Sequence, residues 1–174
     1  MHETEDDIRA LQQLMDATMA RANPHHAGIV TPERRLDARQ VVAYLRGLKH
    51  VAFGTVNAAG KPRVAPLDAH FVRGRFTLST SRRSARWRNL ERNPACSAAH
   101  FVGDDVAVVV NGRVEELARD HPDHDLVHGV WTSHYESDPY SWGDDVVLFR
   151  VEPESMWTYA ATAAAFPHEH DGTT

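Results

Sequence analysis

The sequence predicts a small, mainly β barrel of antiparallel strands with flanking helices. Three observations carry that prediction. From residue 50 onward, segments rich in β-branched and aromatic residues follow one another, separated by tight turns or short helices. Clear helical periodicity is confined to the N-terminal region and a few short stretches. No G-x-G-x-x-G loop is present, so a Rossmann dinucleotide site on a parallel sheet has no support. Many closely spaced strands with few helices favour a barrel over a parallel sheet.

The elements follow in order. Ile8, Leu11, Met15, Thr18 and Met19 recur at helical spacing, which predicts an amphipathic helix over 5–22. Asn23-Pro24 ends it, and 23–35 reads as a loop. Asp37 can cap a second helix with Val41, Val42, Leu45 and Leu48 on its apolar face. Strands are expected at 50–57, 62–72 and 75–80, divided by turns at Ala58-Ala59-Gly60 and Arg73-Gly74. Ser84 to Arg92 is a short helix. Strands at 95–102 and 105–118 flank Gly103-Asp104, and a polar helix covers about 120–134. Two strands close the chain, 146–152 and 155–160, on either side of Pro153. The expected division is an N-terminal helix and loop extension over 1–36, a barrel over 37–162 and a flexible tail over 163–174, its end PHEHDGTT loose.

The 174 residues suit one domain with its own core. A net charge of −5 argues against general nucleic-acid binding, which usually shows a basic domain. No apolar run approaches the ~20 residues needed to cross a bilayer. The N-terminus, MHETEDDIRA, is acidic where a secretory signal is basic and then apolar, so a cytoplasmic location is expected. Cys96 is the only cysteine, which excludes an intrachain disulfide and a four-thiolate metal site. There is no G-x-S-x-G elbow for a hydrolase nucleophile.

Against this acidic background, arginine crowds 73–92, where Glu91 is the only acid. Within it, STSRRSAR at 79–86 reads as an anion site. Ser79, Thr80, Ser81 and Ser84 offer short hydroxyl donors. Ser84 stands where a helix begins, so free backbone N–H groups and the helix dipole favour an anion there. Arg82, Arg83 and Arg86 add planar guanidinium forks that can grip phosphate oxygens. A solvated arginine face is the competing account of the same residues.

At these residues the chain resembles the pyridoxamine 5′-phosphate oxidase-like, FMN-binding split barrels, in particular small members that bind FMN or the deazaflavin F420. The resemblance rests on G-x-P at Gly60–Pro62, a strand ending in His70-Phe71, S-A-R at 84–86 and R-N-L-x-R-N-P at 88–94. It continues through Val110-Asn111-Gly112-Arg113-Val114-Glu115-Glu116-Leu117 and the F-R-V-x-P segment at 149–153, and so spans roughly 40–160. It implies phosphate contacts from Ser79, Thr80 and Arg86, with backbone from Ala85. Ala65-Pro66-Leu67 would line the ring, in a homodimer with the cofactor at the subunit interface. The cofactor implied is FMN or F420, with FMN placed first, and the activity an oxidoreductase transferring hydride to or from a small molecule. His70 is a candidate substrate contact, and Trp142, Trp157 and Tyr159 are candidate covers of the pocket, from the same or the partner subunit; packing in the barrel wall for His70, and in the core or interface for the other three, is the plainer role.

Departures from the family pattern narrow this. The true oxidases carry arginine where this chain has Ala65, lysine at His70, glutamine at Ala107 and tryptophan at Tyr159. Ala160–Ala163 lacks their R-x-H motif. Oxidation of pyridoxamine phosphate itself is therefore not expected. A non-catalytic carrier or sensor of flavin, F420 or haem is the alternative function. His121, His124 and His128 have helical spacing suited to metal, but no H-E-x-x-H accompanies them, a polar exposed helix accounts for them equally well, and no metal is expected.

Overall fold

The computed structural model describes residues 2–168. Strands β1 (Lys49–Val56), β2 (Pro62–Val72), β3 (Arg75–Ser81), β4 (Ala95–Val102), β5 (Val106–Glu116) and β6 (Val146–Ala160) form a closed barrel in the order β1-β2-β3-β6-β5-β4. All pairings are antiparallel. Alternation decides what faces inward: on β1, Val51, Phe53 and Thr55 are buried while Ala52, Gly54 and Val56 are less so. The β2–β3 hairpin turns on Arg73 and Gly74, with φ of 51° and 75°. Both centres in the left-handed region give the turn whose twist suits adjacent strands.

Helix α1 (Glu5–Ala20) starts at Thr4, whose side chain accepts from the Asp7 amide while Asp7 returns the bond. It buries Ile8, Leu11 and Met15 in the main core. The Thr18 hydroxyl accepts from the Met156 amide at 3.0 Å, tying α1 to β6. Helix α3 (Ala38–Tyr44) has the same reciprocal cap between Asp37 and Gln40. Gln40 also donates to the carbonyls of Ala163 and Phe166, both at 3.0 Å. The first residues of the expected tail thus rest on α3, where 163–165 form a 3-10 turn; residues 169–174 lie outside the described residues.

Three expectations are corrected. The 23–35 stretch is not a plain loop: it holds α2 (Pro24–Ile29) and a 3-10 turn at Pro32–Arg34. Asn23 accepts from the His26 amide and Pro24 occupies the first turn, so the pair that stops α1 also starts α2. The closing strands 146–152 and 155–160 are one strand, β6. A register shift opposite Asn111 and Gly112 leaves Glu154 as the extra residue of a bulge beside Pro153, so the proline does not end the strand. The polar helix at 120–134 begins only at His124, giving α5 (His124–Tyr135). Its apolar side covers the outside of the barrel, where Val127 and Trp131 pack with Val72, Leu117 and Leu148. Among the described residues no helix is long and apolar enough to cross a membrane.

Candidate functional site

Helix α4 (Ala85–Arg92) caps the barrel beside β1, with Trp87 and Leu90 buried. Trp87 packs on Phe149 at 5.8 Å between ring centres, which anchors the helix to the main core. Between that turn and strands β1 and β2 lies a cleft of about 450 Å³. Its lining includes Ala65, Ser84, Ala85 and Arg86 from the sequence expectation, together with Phe53, Thr55, Arg63 and Asn89. Among the described residues, two arginines and no carboxylate line it.

The three arginines of STSRRSAR separate here. Arg82 pairs with Glu116. Arg83 lies 3.7 Å from Asp145, its side chain mostly exposed. Arg86 is half-buried and, among the described residues, meets no carboxylate; one of its Nη atoms donates to Thr80 Oγ1 at 2.9 Å. Burial lowers its guanidinium pKa from the ordinary value without providing a counter-charge. Thr80 Oγ1 is also 3.1 Å from Ser84 Oγ, and Ser84 Oγ accepts from the Trp87 amide at 3.0 Å. The two hydroxyls thereby hold Arg86 against the start of α4, where the first-turn amides of Ala85 and Arg86 have no intrahelical acceptor.

Strand alternation explains the rest. Ser79 and Ser81 lie on the face of β3 opposite Thr80. The Ser81 hydroxyl donates to Asp145, and that bond, first among the causes, lowers the Asp145 pKa. Ser79 pairs with Leu148 on β6, away from the cleft. On β2, Pro66 turns outward while Leu67 packs on the core. The sequence reading missed Arg63, two residues before Ala65 on the same face of β2, and Asn89, whose amide donates to Thr55 Oγ1 at 3.3 Å. Period-two counting back from Ala65 was the signal for Arg63.

The other singled-out side chains lie elsewhere within this chain. His70 is 4% exposed beneath α5, against Trp131 and His134. Trp157 and Tyr159 line a different cavity with Ala107 and His26. Trp142 sits against Trp131 and Tyr135 at ring distances of 6.4 and 4.9 Å. His124 and His128 stack at 5.6 Å, with His124 Nε2 bonded to the Tyr140 hydroxyl and His128 Nε2 to Asp138. Among the described residues no three His, Cys, Asp or Glu side chains are grouped to hold a metal ion.

The family profile described as pyridoxamine 5′-phosphate oxidase matches residues 38–160. No curated protein matches the sequence. Among solved structures, the conserved hypothetical protein Rv2991 from Mycobacterium tuberculosis superposes with a TM-score of 0.66 at 16% identity, covering 83% of this chain and 97% of its own. HutZ, the haem storage protein from Vibrio cholerae, gives 0.60 at 20% identity, covering 72% and 94%. A structure described as an F420 reductase gives 0.52 at 20% identity, covering 66% and 92%. At these identities the likeness is one of fold.

Proposed function

Because this chain belongs to the pyridoxamine 5′-phosphate oxidase family, we propose that it binds FMN or F420 in the Arg86 cleft and is an oxidoreductase. The observation that carries this reading is the half-buried Arg86, held by Thr80 and facing a cleft lined, among the described residues, by two arginines and no acid. In a chain of net charge −5, that is a built receptor for an anion. A phosphate monoester fits it: charge-assisted bonds from Arg86 and free amides at the start of α4 address the same oxygens.

When bound, such a cofactor supplies hydride transfer at its central ring. The chain's part is to bind and orient. Phe53 and Ala65 face one another across β1 and β2 and give the ring an apolar wall. Arg63, on the same face, adds positive charge at the open end. Ala65, on the cleft, stands where the true oxidases carry arginine, so the substrate is a small molecule other than pyridoxamine phosphate. A second copy of the chain completes the site. Val64 at the cleft rim is 71% exposed, and Phe101 on the same outer face is 60% exposed.

A carrier role is the second reading, favoured by a cleft lining that, among the described residues, holds no His, Asp or Glu able to serve as acid or base. Titration of the stripped protein with FMN and with F420, followed by fluorescence, tests both. Binding with reduction by NAD(P)H or F420H₂ is the outcome for an oxidoreductase. Tight binding without reduction assigns the carrier. Failure of both ligands to bind contradicts the oxidoreductase and a flavin or F420 carrier, and a Soret band in the purified protein would then assign a haem carrier.

A further inference from the structure

A second cavity, of about 640 Å³, lies outside the barrel between α5, the end of α3 and the residues preceding α1. It is separate from the Arg86 cleft. His70 lines it from β2, five positions beyond Ala65 and on the opposite face of the strand. At about 3.3 Å per residue that is roughly 17 Å along the strand.

Two buried polar atoms on its lining have no hydrogen-bond partner among the described residues: Glu3 Oε1, an acceptor, and His70 Nε2, which accepts when the ring proton is on Nδ1. The His70 ring is 4% exposed and wedged edge-on against Trp131 and His134, at 5.2 and 5.1 Å between ring centres. Burial holds the ring's pKa at about 4, so near neutral pH the imidazole is neutral, and with its proton on Nδ1 the Nε2 atom presents a lone pair. The other Glu3 oxygen accepts from the His2 amide at 3.1 Å. Arg46 also lines the cavity and has an interaction of its own. Asp125 adds negative charge, while Val42, Phe71, Leu126 and Val130 supply apolar wall. Buried acceptors are normally satisfied, and two on one cavity call for a ligand that brings donors.

We propose that this cavity binds a small protonated primary amine with an apolar body, whose ammonium supplies the donors that His70 Nε2 and Glu3 Oε1 lack. An ammonium has three donors and no acceptor, and its charge complements Glu3. A carboxylate ligand would instead set acceptor against acceptor.

The test is a titration of the full chain with benzylamine and with phenylacetate, read by the ¹⁵N resonances of labelled histidine. Benzylamine should bind at least about tenfold more tightly than phenylacetate and move the His70 Nε2 resonance. Glu3→Gln should weaken benzylamine by about tenfold, the scale of one charge-assisted bond. His70→Phe should abolish its binding. The far-ultraviolet circular dichroism and melting temperature of each variant are the control for folding; Glu3 precedes α1, so Glu3→Gln carries the test if His70→Phe does not fold. Equal binding of the two probes, no binding of benzylamine, or benzylamine binding unchanged in Glu3→Gln overturns the proposal.

Discussion

His70 shows what one side chain's surroundings do to its chemistry. Burial is the largest cause of its pKa falling from 6.5 to about 4, with His134 adding to the effect, and Asp68 and the Gly47 backbone opposing it. The unfolded ring takes up a proton below pH 6.5 and the folded ring does not until about pH 4. Stability carried by His70 is therefore complete above about pH 6.5 and is lost as pH falls toward 4. Between pH 7 and pH 5 the loss should be about 2 kcal/mol. Urea unfolding at the two pH values should show a smaller difference in His70→Gln than in the parent chain. An equal difference in both would place the acid sensitivity elsewhere, His100 being the next group with a pKa lowered by burial. The sequence named His70 as a polar group worth noting, yet its burial under Trp131 depends on α5 docking, which no local pattern around residue 70 encodes.

Among elements, the β5–β6 pair makes the sharpest demand on a single residue. At Gly112 a Cβ would lie 2.0 Å from the Glu152 carbonyl oxygen, and backbone cannot give way as a side chain can. Gly112→Ala should destabilise the protein by more than about 3 kcal/mol, beyond ordinary overpacking. At Gly54 the nearest atoms to a Cβ are at 3.7 Å, so Gly54→Ala should change stability by under about 1 kcal/mol. Thermal denaturation of the two variants checks the contrast, and similar melting points would deny the close approach. The bulge also marks the limit of sequence reading. Strands β1 to β5 were legible because turn residues sit between alternating segments, as at Arg73-Gly74. Pro153 suggested a strand end because a proline's missing donor is visible in sequence, whereas the register shift that accommodates it is a property of two strands together. Asn23-Pro24 misled for a similar reason, since one dipeptide serves as both stop and start.

At the scale of the whole molecule, the barrel closes on itself and its helices gather over β1, β2 and β6. The outer face from Val64 through Gly54 and Ala99 to Phe101 carries small and apolar side chains suited to a second copy. If the proposed dimer uses this face, Phe101→Arg should sediment as a monomer and lose FMN affinity by at least about tenfold, since burying an unpaired charge is costly. A variant that remains dimeric would move the interface elsewhere. The candidate site was legible as a neighbourhood: Ala65, Ser84, Ala85 and Arg86 do line one cleft. Their division from Ser81, Arg82 and Arg83 was not, because it depends on Glu116 and Asp145, carboxylates brought from other parts of the chain.

That division supplies the most direct measurement: FMN affinity, or F420 affinity if that ligand binds, of Arg86→Ala beside Arg82→Ala and Arg83→Ala. Arg86→Ala should weaken binding by about 1.5–3 kcal/mol, the range for a hydrogen bond to a charged group. The other two should remain within about 0.5 kcal/mol of the parent, as surface substitutions do. Unchanged affinity in Arg86→Ala, or equal losses in all three, would contradict a phosphate site built on Arg86.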